Sequence, residues 1–200
     1  GALNSWSREN LLFVAPNSTV VSRPIPTTIS HNLILAAGGT LSNLDHDDGS
    51  EHFHDDFNVL AYAGAKNYLG RLKRATNSLF VFPELGMMQG SGYFSDGDVI
   101  HAGWGEEFSN NTCIFGANFT STFTAGSLPG CLLSNTTRCT ASSNNQYFAP
   151  GPVHWEVNGR SMVNLSAMQS AGLEVGSTVT ESIPTPTEVV SMALKILQRA

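Results

Sequence analysis

Asn10, Asn32, Asn58, Asn77, Asn111 and Asn145 each open a short apolar run, as in Asn32-Leu33-Ile34-Leu35 and Asn77-Ser78-Leu79-Phe80-Val81. The successive spacings are 22, 26, 19, 34 and 34 residues. A unit of about 20 residues with insertions of variable length marks a stacked, repeating architecture. Each run is too short for a helix and too apolar for a strand with one wet face. It suits a parallel strand covered by its neighbours. Asparagine has a reason to recur at the start of each run. It tolerates the left-handed backbone of a tight corner, and its amide both donates and accepts along a stack. The spacing therefore predicts an all-β chain, a right-handed single-stranded parallel β-helix, with Asn32, Asn58 and Asn77 in one column.

Composition agrees. Charged residues make up 13 % of the 200, against about 25 % in ordinary globular chains. Gly, Asn, Ser and Thr replace them, which favours turns and strands over helical bundles. The chain opens Gly1-Ala2-Leu3-Asn4 without Met, which reads as a piece whose first coils precede it. No apolar stretch approaches the roughly 20 residues of a membrane span. Lys and Arg form no long basic stripe, so nucleic acid is not an expected partner. Glycosylation triplets begin at Asn17, Asn110, Asn118, Asn135 and Asn164 and suggest a secreted protein, which is expected to be a monomer. Cys131 and Cys139 can close a short loop, Cys113 can tie that loop to a strand, or all three can stay thiols.

The repeat pattern changes after Phe148. Residues 1–160 read as the repeating part and 161–200 as an extension of the same domain. Asn164 to Gly172 reads as a short helix with Asn164 as N-cap and Gly172 just past its end. Thr185-Pro186-Thr187-Glu188 is a capping box that opens a final helix. Its apolar stripe is Val189, Met192, Ala193, Ile196 and Leu197. This helix is expected to pack against the repeating part or to cap its open end.

The stretch Asp45 to Asp56 holds six of the chain's 16 acidic residues and three of its 6 histidines. Like charges collected this closely add nothing to stability, so the stretch is either a solvated loop or a functional site. Counting back eleven residues from Asn58 and from Asn77 places Asp47 beside Lys66. Counting back ten places Asp48 beside Asn67, and His101 is ten before Asn111. His52 and His54 would share one strand face, a weak transition-metal pair.

His46-Asp47-Asp48-Gly49-Ser50, followed by the strand from Asn58 and the turn Ala63-Gly64-Ala65-Lys66-Asn67, resembles an (Asn/His)-Asp-Asp-Gly-Ser signature. That signature belongs to a pectin-lyase-like family of secreted right-handed β-helix proteins. The resemblance spans residues 30 to 175. By fold it implies kinship with polysaccharide lyases, uronan epimerases and glycoside hydrolases, and hence a polysaccharide partner. Three roles for the box stay open. Asp47 and Asp48 can act as acid and base on a glycosidic bond, alone or with Glu51, Asp55, Glu106 or Glu107. Alternatively Asp45, Asp47, Asp48 and Glu51 hold Ca²⁺ while Lys66 or His101 removes a sugar proton. In the third, the box is a tight turn whose carboxylates accept backbone N–H groups, in a glycan-binding module without catalysis.

Overall fold

The computed structural model describes residues 3–6, 13–14, 19–20, 26–35, 43–47, 50–62, 64–68, 72–83, 91–96, 106–116, 123–128, 131–157 and 161–198. Among them, most strands run parallel in three sheets that the chain visits in rotation. The first sheet holds Leu3–Trp6, Leu44–Asp47, Ala65–Tyr68, Ser91–Asp96, Phe123–Leu128 and Val153–Val157 in that order. The second holds Thr27–Ser30, Phe53–Asp56, Arg74–Thr76, Glu107–Ser109 and Ala141–Ser143. The third holds Leu33–Leu35, Val59–Ala61, Leu79–Val81, Thr112–Ile114, Gln146–Phe148 and Thr178–Thr180. That last strand pairs in parallel with Gln146–Phe148, so the pattern continues past residue 160. A short antiparallel ribbon joins Phe13–Val14 to Thr19–Val20.

Each circuit turns at a corner residue with left-handed backbone. His31, Phe57, Asn77, Asn110, Asn144 and Gly176 all have φ between 53° and 77° and stand in one column. Such a conformation costs a non-glycine residue roughly 1–2 kcal/mol, so it persists only where neighbours hold it. Here the His31 and Phe57 rings stack with centroids 5.2 Å apart.

The residue after each corner forms the polar ladder. Asn32 N–H donates to Asn58 Oδ1 (3.1 Å), Asn58 N–H to Ser78 Oγ (3.0 Å), Ser78 N–H to Asn111 Oδ1 (2.9 Å) and Asn111 N–H to Asn145 Oδ1 (2.9 Å). Asn145 N–H then donates to Ser177 Oγ, 2.8 Å away. The expected column is thus corrected at one place: Ser78, not Asn77, belongs to the ladder. Asn77 is the corner before it and donates instead to Asp56 Oδ1 at 2.7 Å. Asn10 lies outside the described residues.

The main core draws Leu44 and Trp155 from the first sheet, Ala75 and Phe108 from the second and Phe80 and Tyr147 from the third. Burying each large side chain contributes about 1.5–3 kcal/mol. An antiparallel strand, Ser161–Val163, and helix α1, Leu165–Ser170, pack against this core through Val163, Leu165 and Met168. Asn164 caps α1 by accepting from Ala167 N–H (3.0 Å), and Met168 is buried. Gly172 follows with φ 82°. Glu174 seals the ladder by accepting from Asn145 Nδ2 and Tyr147 Oη, each at 3.0 Å.

Helix α2, Pro186–Leu197, carries the expected capping box. Its stripe of Val189, Met192, Ala193, Ile196 and Leu197 covers Val59, Leu79, Val81 and Ile114. These four face away from the main core, so α2 lies along the outer side of the third sheet. Cys131 and Cys139 are disulfide-bonded, and Cys113 is a buried thiol.

Candidate functional site

The acidic box starts as a strand and ends as a turn. Within Leu44–Asp47, side chains alternate. Leu44 and His46 share inward columns with Trp155 and Val157, whereas Asp45 and Asp47 occupy the opposite face. Ser50, wholly buried, closes the turn: its N–H donates to Asp47 O at 3.1 Å. Its hydroxyl lies 2.7 Å from the same carbonyl and 2.8 Å from Ser5 O.

The neighbour assignment counted from the sequence is corrected. Asp45 stands opposite Lys66 and His46 opposite Asn67, so Asp47 is not the residue opposite Lys66. Two one-residue displacements add up. The third sheet aligns Asn58 with Ser78 rather than with Asn77. The box also holds one residue more than its neighbouring circuit, since His46 to His54 aligns with Asn67 to Arg74. A total shift of two preserves the alternation, so position 66 keeps the strand parity of 45 and 47.

Of the proposed carboxylates, Asp47 and Glu51 are half-buried and Asp45 is 3 % exposed. Asp48 and His101 lie outside the described residues. Among those described, no three His, Cys, Asp or Glu residues gather as a metal site. His52 is a corner residue with φ 58° and therefore does not share a strand face with His54. The His54 imidazole is held below its ordinary value first by burial and then by the Arg74 guanidinium.

Glu106 faces inward. Its Oε1 lies 3.4 Å from Lys73 Nζ, and these side chains are 3 % and 1 % exposed. Burial, partly offset by Glu106, pulls the Lys73 ammonium below its usual value. The adjacent Glu107 points the other way, 3.6 Å from Arg74 Nε. Asp56 also faces outward, and its Oδ1 accepts from Thr76 Oγ1 and Asn77 Nδ2.

Sequence reasoning missed the partners of His46. Its Nε2 lies 2.7 Å from Asp55 Oδ2, its Nδ1 lies 2.8 Å from Ser5 Oγ, and its ring stacks on Phe53 at 4.2 Å. His46 and Asp55 are 2 % and 3 % exposed, whereas Ser5 is half-buried. Asp55 belongs to the acidic stretch, but its inward direction follows only from its alignment with Ala75 and Ile29. Ser5 carried no local signal at all. It is 41 positions from His46 and meets it only because Leu3–Trp6 pairs with Leu44–Asp47. No family model, curated protein or solved structure matches this chain.

Proposed function

We propose that the chain winds as a right-handed parallel β-helix and acts on a polysaccharide outside the cell, as lyase, epimerase or glycoside hydrolase. The observation that carries this reading is the register of the first sheet. It sets Lys66 opposite Asp45, two residues before the half-buried Asp47 on the face turned away from the core. A carboxylate and an amine position on adjacent parallel strands suit general acid–base work on a sugar chain lying across them. Right-handed winding is the rule for crossovers between parallel strands.

The test is incubation with a polysaccharide panel, with and without Ca²⁺, following unsaturated-uronate absorbance and reducing ends. Turnover that falls by about 100-fold or more in Asp47→Ala supports the reading. No turnover on any polymer, or equal turnover by the variant, argues against it. A second reading, a glycan-binding module without catalysis, is favoured by the use of His46 and Ser50 inside the fold and by the Lys73 partner of Glu106. Retention on a glycan array without turnover would select it.

A further inference from the structure

Ser5, His46 and Asp55 form a hydrogen-bonded line, and we propose that they are an acyl-transfer site for carboxylic esters, with Ser5 as nucleophile. This goes beyond the polysaccharide reading and stands whether or not a glycan is the natural ligand. The geometry is that of a nucleophile within reach of a base that a third group orients. A carboxylate oxygen only accepts, so Asp55 Oδ2, 2.7 Å away, holds the His46 proton on Nε2. That leaves the Nδ1 lone pair as acceptor for the Ser5 hydroxyl at 2.8 Å. The other acceptors around that hydroxyl are more distant: Ser50 Oγ at 3.0 Å and Asp45 O at 3.5 Å. Stacking on Phe53 and burial keep the imidazole in this orientation.

The exposure gradient has the right sense. The base and its orienting carboxylate are out of water, while Ser5 is half-buried. The line is recognised by geometry and roles rather than by chain order, and here the two ring nitrogens have exchanged partners relative to the familiar triad. In the first step Ser5 Oγ bonds to the ester carbonyl carbon as its proton passes to His46 Nδ1. The alkoxide leaves and takes that proton as an alcohol. Water, deprotonated by the same nitrogen, then cleaves the acyl-serine to give a carboxylic acid and free Ser5. Asp55 is a positioning residue.

The experiment treats the full chain with a fluorophosphonate, which a serine oxygen displaces at phosphorus with loss of fluoride, and maps the adduct by peptide mass spectrometry. Hydrolysis of p-nitrophenyl acetate is followed in parallel. The expected result is an adduct on Ser5 and ester hydrolysis that falls about 100-fold or more in Ser5→Ala with an unchanged circular dichroism spectrum. Asp55→Asn, which turns the imidazole to the other tautomer, should slow labelling of Ser5 while Asp55→Glu restores part of it. Wild-type protein that is folded yet unlabelled at Ser5, or labelled only elsewhere, overturns the proposal without reference to any variant.

Discussion

Glu106 and Lys73 face each other across adjacent strands of the second sheet, 3.4 Å apart and both out of water. At that burial a single charge would be costly. Lys73→Met should therefore cost about 3–5 kcal/mol, because Glu106 keeps its burial and loses its cation. Lys73→Met/Glu106→Leu should recover most of that. Urea denaturation of the three proteins measures both effects. The pH dependence has a fixed sign. The folded amine releases its proton below 10.5, while the unfolded one retains it up to that value. Between the two the unfolded chain binds more protons, so this group's contribution makes stability rise with pH in that window. Lys73→Met should lack that alkaline rise.

The Asn111 side chain bonds twice to the neighbouring strands around Ala75 and Ser78. Its Oδ1 accepts from Ser78 N–H at 2.9 Å and its Nδ2 donates to Ala75 O at 2.8 Å. Asn111→Ala leaves the buried Ser78 N–H without its acceptor, removes a donor from Ala75 O and should cost about 3 kcal/mol. Asn111→Ser should cost about half, since a hydroxyl already accepts the equivalent bond at Ser78. Thermal unfolding that ranks the serine variant level with alanine would contradict this account.

The thiols should separate cleanly. Cys113 is wholly buried, and burial, followed by the nearby Glu174 carboxylate, pushes its pKa well up. A chromogenic disulfide reagent should find no reactive thiol in the native chain and one in urea. Cys131 and Cys139 are 8 positions apart. Reduction should lower stability by about 2.5 kcal/mol through the loop entropy returned to the unfolded chain.

Glu188 should report on the start of α2. Its Oε2 accepts from Thr185 N–H at 2.8 Å and Thr185 Oγ1 at 2.7 Å. These bonds hold the carboxyl below its ordinary 4.5, the side-chain bond first. The folded value is depressed, so the stabilisation is present above 4.5 and fades as pH falls through the lowered value. The Thr185 amide proton, followed by NMR, should titrate with a midpoint below 4.5. In Glu188→Gln it should stay flat, because the amide oxygen caps without titrating.

Local chemistry was legible wherever a signal lies within a few residues. The caps at Asn164 and Thr185, the stripe of α2 and the rotation of short apolar strands all follow from nearby residues and their periodicity. The candidate site was legible only as a stretch. Asp47 and Glu51 lie where carboxylates remain partly accessible, but Glu106 faces inward to Lys73, which has no local sequence signal of its own. The His46 partners were invisible, because Ser5 and Asp55 become neighbours through strand pairing and not through spacing.

By itself the sequence determined that short apolar strands pack between tight corners, since hydrophobic runs and left-handed positions act within each segment. Register was decided by the tertiary structure. One extra residue in the box and the choice of Ser78 over Asn77 each moved the alignment by one, and each such step exchanges the inner and outer faces of a strand. Packing selects the alignment that buries Leu44 and satisfies His46 together, and that balance is a property of the assembled sheets, not of any one strand.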